Sequence, residues 1–259
     1  RSTAEALLRL RVPRPAAPAW RPDVVWSQAV SVTREGDPPE AVQYRDVGSF
    51  VRLHRRTPRR ALKERRERRD LLGADLRVFN SGVVRAAAEA RYPRIRALPT
   101  AVVHNGLDLT VFEGVATTSR RPGPPRLLLP QTDHPHKRNA LAADVLAAVR
   151  AAGPDLADTR LAVAGTGPYA DLRSRAAELG IADAVDLLGY LPRPAMAAAY
   201  GAADAVLITS SGESFCNPIV EAHAAGRPIV LAPFAAAHEL RGPLSSIAPR
   251  AAVVDLATA

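Results

Sequence analysis

The residues best suited to chemistry cluster between Leu207 and Pro233, in LITSSGESFCNPIVEAHAAGRPIVLAP. An apolar strand ends at Thr209 and a loop of small residues follows. A helix then opens with Asn217 in the capping position and Pro218 at the first helical position, where a missing N–H costs nothing. Such a helix start is an anion site: its free backbone N–H groups and the positive end of its dipole hold a phosphate without a metal ion. Glu213 stands in the loop before that point, and Glu221 lies on the helix with seven residues between the two. If the helix points at a nucleotide diphosphate, one carboxylate lies on the sugar side and the other within reach of the ribose hydroxyls. On spacing alone the plainer reading stays open, with a surface loop acid and an exposed helix residue.

Two acids beside a phosphate call for a cation, and Lys137 supplies it in His134-Pro135-His136-Lys137-Arg138-Asn139. The chain has two lysines, Lys63 and Lys137, against 33 arginines, so a compact ammonium at this place stands out. His134 and His136 have the spacing of metal ligands but lack a third partner, and no metal is expected. Gly165 and Gly167 in Ala164-Gly165-Thr166-Gly167-Pro168 allow close approach of a ligand to backbone, or equally a tight turn. Cys216, the only cysteine, has no His/Asn pair nearby to make it a nucleophile.

These groups need a scaffold, and the pattern around them is an alternation of short β-rich runs and helical stretches from Asp23 onward. Expected strands are Val24–Ser27, Ala41–Tyr44, Leu76–Asn80, Ala101–His104, Arg126–Leu129, Arg160–Ala164, Ala184–Leu188, Ala205–Thr209 and Pro228–Leu231. Most are near-continuous apolar runs, as in parallel strands covered on both faces. Helices are expected over about 51–72, Gly82–Arg91 behind a Ser81 cap, Asn139–Ala152, Tyr169–Leu179, Pro194–Gly201 and Pro218–Ala225. Residues 113–125 (EGVATTSRRPGPP) have linker composition, which divides the chain into an N-terminal part, 1–112, and a C-terminal part, 126–259.

Composition bounds the reading. The chain has 259 residues, 47% of them hydrophobic and 24% charged, which suits a globular protein with a real core. One cysteine excludes an internal disulfide and a multi-thiolate metal site. No run of about 18 apolar residues and no leader pattern is present, so a cytoplasmic location is expected. The net charge of +9 is local: Arg45–Asp70 carries eleven basic residues against four acidic ones. A basic helix of this kind is either a solvated face or a surface, Arg52–Arg69, for anionic membrane on its inner face or for an acidic acceptor. Nucleic acid is not expected, because no aromatic residues are interleaved with the arginines.

The run from Gly212 to Ala222, followed by Ala225-Gly226-Arg227-Pro228-Ile229-Val230, resembles the Glu, seven residues, Glu motif of retaining glycosyltransferase family four. Val103-His104-Asn105-Gly106-Leu107-Asp108 with Phe112, the Gly-x-Gly turn followed by Leu172, Leu188-Gly189-Tyr190-Leu191, and Tyr200-Gly201-Ala202-Ala203-Asp204 resemble further segments of that family in the right order, over roughly residues 75–240. The resemblance implies an α/β protein of GT-B type, with two Rossmann-like parallel-sheet domains facing a cleft. In that scheme 1–112 is a partial acceptor-side domain and 126–259 the nucleotide-sugar domain.

The activity implied is transfer of a hexose from a nucleoside diphosphate sugar, with no separate cofactor, to an acceptor hydroxyl. Glu213 would contact the transferred sugar and Glu221 the donor ribose. Lys137 and the amides near Ser214, Phe215, Cys216 and Asn217 would neutralise the leaving diphosphate. Tyr190 and Leu191 would line the base pocket, or Tyr190 would be a core residue.

The chain departs from the family pattern in three ways. Thr132 takes the place of a diphosphate-binding arginine, leaving Arg138 or another group to compensate, and Arg45 stands where a histidine would precede Asp46. The N-terminal half lacks a glycine-rich first loop, and the C-terminal end is short, which together suggest part of a longer polypeptide. A nucleotide-sugar epimerase and a non-catalytic donor-binding subunit are the rival readings on the same fold.

Overall fold

The computed structural model describes residues 25–28, 40–44, 58–115 and 123–248. The expected helical residues 51–57, linker residues 116–122, Arg45, Arg52 and the C-terminal stretch 249–259 lie outside the described residues. The chain forms two compact units. One comprises Arg1–Tyr44, Arg56–Val78 and Arg94–Ala101, and the other Arg45–Arg55, Phe79–Pro93 and Val102–Ala259.

The smaller unit is built on a four-stranded sheet. Its strands are β1 (Val25–Gln28), β2 (Glu40–Tyr44), β3 (Leu76–Phe79) and β4 (Thr100–Val102), in spatial order β1-β2-β3-β4, with β1 and β2 parallel. Helix α1 (Pro58–Gly73) precedes β3. Its last carbonyls are satisfied by Arg77, which is 1% exposed and donates from Nε to the Leu71 carbonyl at 2.5 Å and from Nη2 to that of Leu72 at 2.9 Å. A buried arginine is tolerable there because it meets unpaired carbonyls at the negative end of a helix dipole.

The larger unit contains α2 (Gly82–Arg91) and a six-stranded sheet. The sheet alternates β5 (Arg126–Leu129), α3 (Ala140–Ala151), β6 (Arg160–Ala164), α4 (Ala170–Glu178), β7 (Val185–Gly189), α5 (Arg193–Ala202), β8 (Ala205–Ile208), α6 (Asn217–Ala224), β9 (Ile229–Leu231), α7 (Ala235–Leu240) and β10 (Ser245–Ile247). The strands lie in the order β10-β9-β8-β5-β6-β7, all paired parallel. Alternate residues enter two cores. Leu128, Ala162, Val206 and Ile208 join Tyr200 and Ile219 on one face, while Leu129, Leu161, Val163 and Leu207 join Leu146 and Leu172 on the other. This is why the strands read as unbroken apolar runs.

The order reverses between β5 and β8, and in open parallel sheets the crevice at the carboxyl ends of the two strands flanking such a reversal is where ligands bind. The loops leaving those ends, 130–139 and 209–216, carry Lys137 and Glu213.

Three sequence readings need correction. Helix α6 begins at Asn217, and its N-cap is Cys216, in the left-handed region at φ 74° with no side-chain capping bond. The Asn217 side chain accepts instead from Asn105 Nδ2 at 3.0 Å. Helix α7 and strand β10 were not expected: six residues and three half-buried residues are too short to show a period. The Ser81 cap is as expected, its hydroxyl oxygen accepting from the Val84 N–H at 3.1 Å.

Gly165 and Gly167 admit the chain's own loop. A Cβ on Gly165 would lie 2.5 Å from the Gln131 carbonyl oxygen, and one on Gly167 would lie 2.2 Å from Asp133 Cβ at φ 133°. Asp133 in turn accepts the Tyr169 N–H at 2.6 Å, at the start of α4. Gly167→Ala should therefore cost about 2 kcal/mol from backbone strain alone, lowering the melting temperature by roughly 6 °C in a calorimetric scan.

Glu239 closes the start of α2, accepting from the Gly82 N–H at 2.8 Å and the Val83 N–H at 3.3 Å, with His104 Nε2 at 2.9 Å. Burial raises its pKa, but the Gly82 N–H, His104 and the Val83 N–H together bring it below the ordinary 4.5. The stabilisation is therefore complete above that value and is lost as pH falls through the lowered folded pKa. Glu239→Gln should melt below the wild type at neutral pH, by about 1–2 kcal/mol. Melts recorded down the acid limb should show the two proteins converging.

Candidate active site

Lys137 and Glu213, 76 residues apart, meet at the carboxyl ends of β5 and β8. Lys137 Nζ donates to Glu213 Oε1 at 2.6 Å, with side chains 18% and 12% exposed. Glu213 is thus not a free surface acid. Its Oε1 also lies 2.6 Å from Ser210 Oγ, which contacts Gln131 Oε1 at 2.7 Å. Gln131 Nε2 donates to Thr209 Oγ1 at 3.0 Å, and Thr209 donates to the Lys137 carbonyl at 2.7 Å. The Ser210 hydroxyl has one proton to give to either acceptor, and a chain of polar contacts joins the two loops, built from residues that follow the buried apolar strands.

Arg138 tightens this junction. It adopts left-handed backbone at φ 47°, and its guanidinium donates from Nε to the Thr209 carbonyl at 2.8 Å and from Nη2 to the Ser210 carbonyl at 3.0 Å. Burial holds its pKa below the ordinary value. Arg138 thus braces one loop against the other. The Ser211 N–H adds a further tie, to the His136 carbonyl at 2.8 Å.

Glu221, one turn into α6, is half-buried and accepts from the hydroxyl of the fully buried Tyr200 at 2.7 Å. Burial, the Glu221 charge and this bond raise the tyrosine pKa well above its usual value. Burial, and after it the Glu213 charge, push the pKa of the Cys216 thiol up, with Lys137 opposing. A thiol so shifted stays protonated and is no nucleophile.

The remaining expected residues divide. The Phe215 ring is buried, 5.4 Å from His104 by ring centroids, so both Phe215 and Cys216 turn their side chains into the core. Ser214 presents its carbonyl to the Ser81 hydroxyl at 2.5 Å. Tyr190 is 74% exposed, which excludes the core alternative, while Leu191 packs partly buried against the core below α5 and α6. Among the described residues no group of three His, Cys, Asp or Glu side chains is arranged to hold a metal ion, and no helix is long and apolar enough to cross a membrane. Sequence reasoning passed over Tyr200, Ser210, Gln131 and Thr209. Their only signal was polarity at the ends of otherwise apolar runs.

Residues 127–259 match the family model described as glycosyl transferases group 1. Two curated relatives, both D-inositol 3-phosphate glycosyltransferases, come from Thermomonospora curvata and Thermobispora bispora. The first is 32% identical over 199 residues, covering 68% of this chain and 45% of the relative; the second is 33% identical over 144 residues, covering 51% and 34%. The chain therefore spans less than half the length of the curated relatives it matches.

Among solved structures, Anabaena HepE in complex with UDP-glucose superposes with a TM-score of 0.68 at 21% identity, over 85% of this chain and 61% of that one. Sucrose-phosphate synthase from Thermosynechococcus elongatus gives 0.67 at 20%, over 87% and 58%. These likenesses show an α/β fold with parallel sheets, similar to GT-B structures. With the family model covering about half of its residues, and the sheet order and loop junction just described, the chain belongs to the group 1 glycosyl transferases.

Proposed function

We propose that the chain carries the donor site of a retaining glycosyltransferase that moves a hexose from a nucleoside diphosphate sugar to an acceptor hydroxyl. The observation that carries this reading is the ion pair of Lys137 and Glu213 at the carboxyl ends of β5 and β8, directly before α6, which bears Glu221 and has no side-chain cap. The diphosphate would lie against that helix start. Lys137 has three N–H donors and gives one to Glu213, which leaves two for phosphate oxygens. As the bond from anomeric carbon to phosphate oxygen breaks, charge develops on the diphosphate, where the ammonium and the helix dipole already point.

Glu221 would accept the ribose hydroxyls, its position fixed by Tyr200. Glu213 would contact the departing sugar while fixed by Lys137 and Ser210. A carboxylate engaged in this way suits orientation better than covalent attack, which favours a front-face route. In that route the acceptor oxygen bonds to the anomeric carbon on the side the diphosphate leaves, and the acceptor proton passes to the departing phosphate oxygen.

For the acceptor, the smaller unit offers an exposed run of Arg65, Arg66, Arg68 and Arg69 on α1, and a hollow lined by Leu72, Arg94, Ala97 and Leu98. An anionic acceptor, or one presented at an anionic membrane, suits that surface. The curated relatives are named for a phosphorylated inositol.

Titration calorimetry with UDP-, GDP-, ADP- and TDP-glucose tests the donor site. One of the four should bind, and Glu221→Ala and Lys137→Ala should each weaken it by about 10- to 100-fold, the size of a lost charged hydrogen bond. Unchanged affinity in both variants removes the assignment. Binding without turnover in the full-length chain would leave a donor-binding subunit.

A further inference from the structure

The charge balance at the junction of the two loops is unusual for a diphosphate site. Lys137 faces Glu213, Arg138 is committed to the Thr209 and Ser210 carbonyls, and Glu221 brings a second negative charge. The two cations and two carboxylates cancel, so no net positive charge remains to meet a ligand that carries two negative charges of its own. One cluster in the same loop is not absorbed by the mechanism. The His134 and His136 rings lie tilted at 56° with centroids 4.4 Å apart and their Nδ1 atoms 2.5 Å from each other. His134 is exposed and His136 half-buried, and the His136 carbonyl receives the Ser211 N–H and hydroxyl.

Two Nδ1 atoms at that distance must share a single proton, one ring donating and the other accepting. The Nε2 of the donating ring is then free to take a further proton, which gives an imidazolium hydrogen-bonded to an imidazole. A second added proton would set two N–H groups against each other. The pair therefore has room for one positive charge and no more.

Resting on the donor reading above, we infer that His134 and His136 act as one proton-gated cation for the donor diphosphate, taking a single proton from solvent when the nucleotide sugar binds. The groups facing the pair are consistent with this. Burial holds the His136 pKa below its usual value, Lys137 lowers it further, Glu213 opposes and His134 lowers it again. Asp133 next in the chain is turned away to the Tyr169 N–H, and Arg138 to its carbonyls. Burial disfavours a charge on His136, and the field of an arriving anion raises the pair's proton affinity.

The test is calorimetry of the full protein with whichever of the four glucose nucleotides binds tightest. A nucleotide sugar is the right probe because its diphosphate has no proton titrating near neutrality. Measured at about pH 7.5 in two buffers of different ionisation enthalpy, the wild type should take up close to one proton. Its affinity should fall by up to tenfold per pH unit above the pair's free pKa. His134→Gln/His136→Gln should take up none, bind about tenfold more weakly at pH 7.5, and match the wild type near pH 9. Lys137→Ala should lose affinity yet keep the proton uptake. Circular dichroism melts check that each variant is folded. Lys137-dependent binding without proton uptake overturns the histidine inference alone, as does uptake that survives in the double variant. If none of the four nucleotides binds, the donor reading falls and this inference with it.

Discussion

The ion pair between Lys137 and Glu213 fixes the two loops that leave the sheet where its strand order reverses. β5 turns toward β6 and β7, whereas β8 turns toward β9 and β10, so the connections diverge and leave their carboxyl ends uncovered. An open crevice needs walls of fixed shape, and loops of small residues do not provide them unaided. The pair, the chain of contacts through Ser210, Gln131 and Thr209, and the Arg138 brace supply that rigidity. Removing one partner of a pair this well covered leaves an uncompensated charge, a cost of about 3 kcal/mol. The same contacts that shape the site therefore also stabilise it.

Two helix starts in the larger unit show how the chain separates closure from function. The first turn of α2 is filled by its own molecule, with Ser81 on one N–H and Glu239 on two others. The first turn of α6 has no side-chain cap, and its capping residue Cys216 takes a left-handed backbone that would suit glycine better. Strain of this kind costs of order 1–3 kcal/mol and persists only where surrounding packing enforces it. Here the side chains of Phe215, Cys216 and Ile219 are held in the core, which anchors the loop at the helix start. Tyr200 contributes from beneath, since its buried hydroxyl fixes a carboxylate that would otherwise swing with its helix.

Much of this was legible in the residues. Strands β5, β6, β8 and β9 read to within one residue because they are runs of largely buried apolar residues, and Lys137 and Glu213, singled out by residue type, meet in the structure. The failures share a cause. Asn217 reads as a cap by residue type, yet tertiary contacts with Asn105 decided its position. The two bonds from Arg138 to the Thr209 and Ser210 carbonyls join loops far apart in sequence, which charge alone does not reveal. Gly165 and Gly167 read as room for a ligand or equally as a tight turn, and it is residues 131 and 133, which local sequence does not bring near, that pack against them. Tyr200 and Ser210 were invisible as functional groups because their roles depend on pairing across the sheet.

The most direct test of the central claim is a crystal structure of the protein with its preferred nucleoside diphosphate. The account predicts density for the phosphates at the start of α6, within hydrogen-bond distance of Lys137 Nζ, and the ribose hydroxyls on Glu221. Phosphates bound elsewhere, with Lys137 and Glu221 making no contact to the nucleotide, would contradict it.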